Sequence, residues 1–355
     1  MKIRRRRTKR IYLGELAIGG GAPVVVQSMT KTDTRDVQAT VRQIRKLEKS
    51  GCEAVRLAVP DAEAAEALKK IGKSVKIPLI ADIHFDWRLA LKAVDAGVQG
   101  LRLNPGNIGA RWKIKEVVDA IQGRRVPIRI GVNSGSLERD ILEKYGHPTP
   151  EAMVASASRH IAILEDMGFT DIKVSLKGSD VTSTVDAYRA FSRSYKYPLH
   201  IGITEAGPPP VGIVKSAVGL GILLSQGIGD TIRVSLTASP EEEVRVAYEI
   251  LRSLGIRKRG ANLVSCPTCG RCSINVINLA TKVEKRLRDV ETPVTVAVMG
   301  CVVNGPGEAR EADFGIAGGR GEGIIFKKGR VVKKAEGDRL LDELMRLIEE
   351  HTGKE

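Results

Sequence analysis

Aromatic side chains are scarce in this 355-residue chain, at 4 % of the composition, and no basic tract carries the interleaved rings on which unpaired bases stack. Long apolar runs are missing as well. No stretch is long enough to span a bilayer, and the opening Met1-Lys-Ile-Arg-Arg-Arg-Arg-Thr-Lys-Arg10 holds no apolar segment to serve as a secretion signal. A cytoplasmic protein without a membrane partner is expected. Acidic residues are outnumbered, 42 against 57 basic, for a net charge of +15. That excess fits nucleic acid or a polyanionic substrate, and the missing aromatics disfavour nucleic acid. The basic clusters over residues 4–10 and 257–259 read as solvated surface. Cysteine is limited to five residues, an odd and clustered set that argues for metal ligation over disulfides.

Four of the five cysteines lie close together in sequence. Cys266 and Cys269 sit in Ser265-Cys-Pro-Thr-Cys269, Cys272 follows, and Cys301 opens a Gly-Pro loop, Gly300-Cys-Val-Val-Asn-Gly-Pro-Gly-Glu308, after an apolar strand. Thiolates two residues apart bind one metal centre without strain, and a third beyond a helix-length spacer can close on it. On spacing alone, a structural zinc site and an iron–sulfur centre are equally compatible. Cys52, before a strand, reads as a packed core thiol.

The first 250 or so residues repeat one unit: a short β-branched strand, a Gly or polar turn, and an amphipathic helix. After a hairpin-like opening over residues 11–24, strands are expected at 24–29, 54–59, 79–84, 100–104, 127–133, 171–177, 199–205 and 231–236. Helices between them include 34–49, 150–167 and 240–254. Eight such units match a closed (β/α)8 TIM barrel of the α/β class. A doubly wound open sheet is the alternative, weakened because no G-x-G-x-x-G follows an early strand.

Alternate strand residues point to opposite faces, and here the two parities differ in kind. One is apolar throughout, for example Val55, Leu57, Leu101, Ile128, Ile130, Ile172, Val174, Ile201 and Ile232, and should face the helices. The other holds Arg56, Asp82, His84, Arg102, Asn104, Arg129, Asn133, Lys173, Ser175, Lys177, His200, Thr204, Arg233 and Ser235, which should converge inside the barrel toward the C-terminal strand ends. Six cations against one acid, Asp82, are costly to desolvate without counter-charge. Several Arg around one mouth fit a substrate with more than one phosphoryl group. Internal salt bridges would be the plainer account, but a single acid cannot balance them. A lone His84 or His200 could equally be a hydrogen-bonded core residue.

A second, α+β unit of about 100 residues is expected past a linker at 255–260. It should contain a strand at 262–265, a helix at 274–289, strands at 293–299 and 314–317, a hairpin over 323–334 and a helix at 338–350. The expected domains are thus 1–256, binding substrate, and 261–355, carrying the cysteines.

The motifs Gln27-Ser-Met-Thr30, Ala81-Asp-Ile-His-Phe-Asp86, Leu103-Asn-Pro-Gly-Asn-Ile-Gly109, Gly131-Val-Asn-Ser-Gly135, Gly202-Ile-Thr-Glu-Ala-Gly207, Ser265-Cys-Pro-Thr-Cys-Gly-Arg271 and Gly300-Cys-Val-Val-Asn-Gly-Pro-Gly-Glu308 run through nearly the whole chain. Together they resemble the bacterial two-domain 4-hydroxy-3-methylbut-2-enyl diphosphate synthases of the methylerythritol phosphate route to isoprenoids. The resemblance implies an iron–sulfur oxidoreductase that reductively opens 2-C-methyl-D-erythritol 2,4-cyclodiphosphate on a [4Fe-4S] cluster, with electrons from ferredoxin or flavodoxin. It implies cluster ligation by Cys266, Cys269, Cys301 and Glu308, leaving Cys272 unused. It further implies substrate contacts from Arg56, Arg102, Arg129, Asn133, Lys177, Arg233 and Ser235, with Asp82, His84 and Asn104 nearby. Thr204 and Glu205 then fall near the reacting centre, Glu205 as proton donor, and Asn304 would meet the substrate from the cluster side. Two alternatives from other classes are a zinc-stabilised nucleic-acid-binding protein and a dihydropteroate-synthase-like transferase barrel with a merely structural small domain.

Barrel geometry adds an expectation about assembly. The eighth helix returns the chain to the face opposite the catalytic mouth, and a strand and its helix span on the order of 20 to 30 Å. A linker over residues 255–260 reaches at most about 20 Å. The cysteines should therefore close over a partner's barrel in a head-to-tail homodimer, which the resemblance also implies.

Overall fold

The computed structural model describes residues 3–301, 307, 309–319, 322–336 and 339–353. Within them the chain forms two compact units, residues 1–257 and 258–355. The first opens with an antiparallel pair, β1 (Ile11–Leu13) and β2 (Leu16–Ile18). Eight strands follow: β3 (Val25–Met29), β4 (Ala54–Ala58), β5 (Leu79–Asp82), β6 (Gly100–Arg102), β7 (Ile128–Asn133), β8 (Ile172–Lys177), β9 (His200–Ile201) and β10 (Thr231–Ile232). They pair in parallel in the order β8-β7-β6-β5-β4-β3-β10-β9, and a parallel bridge from Val174 to Leu199 brings the ends of the sheet together. The expected TIM barrel is thus present and nearly closed.

Helices alternate with these strands, and several begin at a polar cap in the segment that follows a strand's C-terminal end. Asp36, Asp61, Asp86, Asp180, Thr149 and Ser239 each accept a hydrogen bond from an amide of the first turn. A cap of this kind contributes about 1 kcal/mol and fixes where each mouth loop ends. The first helix consequently starts at Val37, three residues later than expected. β9 and β10 are also shorter than expected. Past Ile201, Lys177 folds over Gly202, where a Cβ would stand 2.7 Å from Lys177 Nζ and 2.5 Å from the Arg233 carbonyl oxygen.

The apolar parity packs outward against the helices as the alternation requires, with Val55, Leu57, Leu101, Ile130, Val174 and Ile232 all buried in one core. At the base, Ile11, Leu13 and Ile18 of the opening hairpin join Val25, Ala54 and Ile80 in a separate apolar cluster. The three strand residues stand at or near their strands' starts, so the hairpin plugs the base and leaves the other end as the mouth. The basic N-terminal cluster contributes to this seal instead of standing in solvent throughout. Arg5 pairs with buried Asp230 at 3.2 Å, and Arg6 donates to the Ser192 and Tyr197 carbonyls at 2.8 and 2.7 Å.

The second unit is a five-stranded sheet in sequential order: β11 (Ala261–Ser265), β12 (Val294–Met299), β13 (Phe314–Gly318), β14 (Glu322–Lys327) and β15 (Arg330–Glu336). The first three strands run parallel and the last two form an antiparallel hairpin. Helices Val276–Leu287 and Leu340–Thr352 cover the face presented by Val294, Val296, Val298, Phe314 and Ile316. Among the described residues no helix is long and apolar enough to cross a membrane.

Candidate active site

Register alone assembles the barrel's polar interior. Parallel pairing sets Asp82 beside Arg102, Arg102 beside Arg129, and Arg129 beside Lys173, one row across β5, β6, β7 and β8. Asn133 and Lys177 are paired nearer the mouth. Asp82, Arg102 and Arg129 of this row lie on an open cavity of about 120 Å³ lined by Arg56, Asp82, His84, Arg102, Arg129, Gly131, Asn133, Ser175, Lys177, Thr204, Arg233 and Ser235, with Lys173 outside the lining. Every expected substrate residue except Asn104 lines it. Asn104 lies just behind, its amide donating to the Gly131 carbonyl at 3.0 Å and accepting from the Gly131 amide at 2.8 Å. Gly131 is required there: a Cβ would stand 2.7 Å from Arg102 Nε, which crosses the strand so that Nη2 donates to the Gly131 carbonyl at 3.1 Å.

Asp82 is the hub of the acidic side, with Arg102 at 3.3 Å, Arg56 at 3.5 Å and His84 at 3.8 Å. Burial alone would raise its carboxyl, but Arg56, Arg102, Arg129 and His84 outweigh that and hold it below the usual carboxylate range. A second acid corrects the expectation of one. Glu243, 2 % exposed in helix Pro240–Ser253, lies 3.6 Å from Arg233 and 3.2 Å from Lys31, and accepts from the Leu236 amide at 3.0 Å. Met29 contributes too, its sulfur 2.9 Å from Arg56 Nη2.

Two acids still leave a surplus of cations. Among the described residues Arg129, Lys173 and Lys177 make no ion pair, although they are 4 %, 2 % and 8 % exposed, and the buried Nε of Arg129 has no hydrogen-bond partner. Burial, then repulsion from Arg56 and Arg102, drives Arg129 well below its ordinary value, and burial with Arg129 and Arg233 does the same to Lys177. Burial depresses Arg56 to about 10 against the pull of Asp82. His200 behaves as a core residue: fully buried, hydrogen-bonded to Thr231 Oγ1 at 2.7 Å, and held neutral by burial and by Lys177.

Lys173 offers a test of this electrostatic load. Burial, then Arg129, lowers it from 10.5 to about 7, with Asp230 opposing. Between those values the unfolded chain binds more protons than the folded one, so this group makes stability rise with pH from about 7 to 10.5. Below pH 7 its full cost is present. Subtracting Lys173→Met from wild type in denaturant titrations should reveal that slope, and a flat difference across the window would contradict it.

Thr204 and Glu205 follow β9 at the mouth. Glu205 is exposed and takes a φ of 50°, a left-handed conformation that costs a non-glycine residue on the order of 1 kcal/mol and recurs at functional sites.

In the second unit, parallel pairing of β11 with β12 opposes Ser265 to Val298, so Cys266 and Cys301 leave neighbouring strand ends. The Gly300 amide donates to Cys266 Sγ at 3.2 Å, and the Cys269 amide to Cys272 Sγ at 3.4 Å. Cys269 is exposed, its thiol held below the ordinary value by hydrogen bonds from the Arg271 backbone and side chain. Amide donors and a cation beside sulfur suit thiolates, so the donor set fits a metal cluster. Among the described residues no three such side chains converge to hold a metal, and none of the five cysteines forms a disulfide. Asn304 and Glu308 lie outside the described residues.

Residues 8–248 match the GcpE TIM-barrel domain and residues 262–350 the GcpE protein C-terminal domain. A relative from Thermodesulfovibrio yellowstonii, named 4-hydroxy-3-methylbut-2-en-1-yl diphosphate synthase (flavodoxin), is 62 % identical over 98 % of this chain and 99 % of its own. One of the same name from Geobacter sulfurreducens is 61 % identical over 97 % of each. Among solved structures, the Yersinia pestis dihydropteroate synthase superposes with a TM-score of 0.52 at 11 % identity, over 69 % of this chain and 98 % of that one, a likeness of fold alone. With both units matched and relatives above 60 % identical along nearly the whole chain, this chain belongs to the GcpE family.

Proposed function

We propose that the chain is an oxidoreductase that reductively converts 2-C-methyl-D-erythritol 2,4-cyclodiphosphate to 4-hydroxy-3-methylbut-2-enyl diphosphate in isoprenoid precursor biosynthesis, with flavodoxin or a ferredoxin as electron donor. The observation that carries this reading is the surplus of buried cations at the mouth, which a cyclic diphosphate would neutralise. Residues 1–256 would bind the substrate, with Arg56, Arg102, Arg129, Lys177 and Arg233 on its phosphoryl oxygens, Asn133 and Ser235 adding hydrogen bonds, and Asp82, His84 and Asn104 fixing the cations and loops. Residues 261–355 would hold a [4Fe-4S] cluster through Cys266, Cys269, Cys301 and Glu308. When bound, that cluster supplies the two one-electron transfers the reaction needs. Glu205, presented toward solvent by its left-handed backbone, would deliver a proton to the leaving oxygen beside Thr204, and Asn304 would orient the substrate. The enzyme would work in the cytoplasm.

The active site would be completed by a second copy, head to tail. The chain's exit from the barrel supports this: Arg257 pairs with Glu53 at 2.6 Å and donates to the Val24 carbonyl at 2.9 Å, both at the N-terminal ends of strands. Only residues 258–260 then precede β11.

Anaerobic reconstitution with iron and sulfide, followed by turnover of the cyclic diphosphate, tests the activity. A colourless protein holding stoichiometric zinc would overturn it. Mixing an inactive Glu205→Gln chain with an inactive Cys301→Ser chain should restore activity by creating one intact composite site per heterodimer. No recovery despite proven subunit exchange would place barrel and cluster function within one chain.

A further inference from the structure

We propose that His160 is the positioning residue that locks two mouth loops together, residues 103–109 after β6 and residues 134–138 after β7, and so sets the position of Asn104 and Asn133. The inference rests on the reading of this mouth as a diphosphate site. His160 lies in helix Pro150–Glu165, 1 % exposed, and does not line the cavity. Its two ring nitrogens serve different loops. Nδ1 accepts from the Gly106 amide at 3.0 Å, and Nε2 stands 3.1 Å from Glu138 Oε1.

The chemistry selects one protonation state. A nitrogen that accepts from an amide carries no proton, so the ring proton sits on Nε2 and faces the carboxylate. A single neutral tautomer thus accepts from the first loop and turns its N–H toward the carboxylate of the second. Glu138 answers this arrangement: burial would raise its carboxyl, yet the donors beside it, His160 first, then its own backbone and Ser156, bring it down to about 2. The contact is also steric, since a Cβ on Gly106 would stand 2.7 Å from His160 Cε1. The ring is buried and cannot swing away, so the loop backbone lies directly on it.

Beside the cavity the first loop is also tied to β7 itself, by the paired hydrogen bonds between Asn104 and Gly131, two residues before Asn133. Asn104 thus fixes the first loop to β7 on the substrate side, and His160 holds it to the loop after β7 from behind. With one tie alone the two strand ends could pivot. With both, the side chains between them are held in one orientation, which lowers the ordering cost of binding.

The test uses the full chain before cluster loading and three variants. His160→Asn can still accept from Gly106 but falls short of Glu138, His160→Gln reaches Glu138 but not Gly106, and Gly106→Ala presses a methyl group onto the intact ring. Hydrogen exchange should accelerate at residues 134–138 in the first and at residue 106 in the second. Calorimetric affinity for the cyclic diphosphate should fall about tenfold in each, the scale of one lost hydrogen bond. In loaded enzyme KM should rise with kcat little changed. Unaltered exchange in both His160 variants, or loosened loops with affinity within about twofold of wild type, would overturn the proposal. If wild type itself binds no cyclic diphosphate, the diphosphate reading falls, while the exchange pattern still decides whether His160 ties the loops.

Discussion

Cys266→Ser, Cys269→Ser and Cys301→Ser are each expected to yield protein that stays colourless after anaerobic reconstitution and has lost turnover by more than about 100-fold, because even residues behind a metal ligand typically cost 10- to 100-fold. Cys272→Ser should keep both colour and activity. Its sulfur accepts the Cys269 amide at 3.4 Å while its own amide bonds the Cys269 carbonyl at 3.0 Å, so it closes a turn. A Cβ on Gly300 would stand 2.5 Å from that sulfur, which places Cys272 against the backbone leading to Cys301. A serine hydroxyl can accept the same amide bond. Iron and acid-labile sulfide per chain, measured beside turnover, separate loss of cluster from loss of chemistry. If Cys272→Ser lost the cluster while Glu308→Ala kept full activity, the centre would be held by thiolates alone.

The barrel was legible because its strands carry two unlike parities. Val55, Leu57 and Ile130 had to face helices, and Arg56, Arg102 and Arg129 then had to face one another. Glu243 was missed because Glu241-Glu242-Glu243 opens a helix, where acids ordinarily favour the dipole in solvent. The available signal was helical periodicity: Glu243 shares a face with Ala247, Ile250 and Leu251, all buried. His160 shows the same pattern with Met153, Ala157 and Leu164. A polar residue on an apolar helix face gains meaning only when its partner is known, and the partners here, Arg233 and Gly106, lie outside the helix, in segments that follow other strands. Register likewise exists only between strands, so the row from Asp82 to Lys173 could be anticipated as converging but not as adjacent. Arg5, Arg6 and Arg257 looked like solvated charge because nothing local marks a cation that caps a barrel's base.

Arg129→Met and Lys177→Met are expected to make the substrate-free protein more stable and the enzyme far worse at binding. Each removes a buried cation that has no ion-pair partner among the described residues, and replacing buried charge with apolar volume commonly stabilises by about 1 to 4 kcal/mol. Once the diphosphate is bound the same cation is half of a buried charge pair, and truncating it should cost about 2 to 5 kcal/mol, or roughly 30- to several-thousand-fold in affinity. Opposite signs for the two quantities distinguish a binding cation from a structural one, which would lose both together. Arg102→Met should not show the split so cleanly, because it strips Asp82 of a partner at 3.3 Å and Gly131 of a donor at 3.1 Å. Glu205→Gln should lower kcat with little change in affinity, since its side chain is exposed and outside the cation row. Thermal midpoints of the substrate-free variants, paired with calorimetric binding of the cyclic diphosphate, measure both quantities on the same samples. A lower midpoint together with near-normal affinity for Arg129→Met and Lys177→Met would show that the cation row is held for the fold and that the diphosphate binds elsewhere.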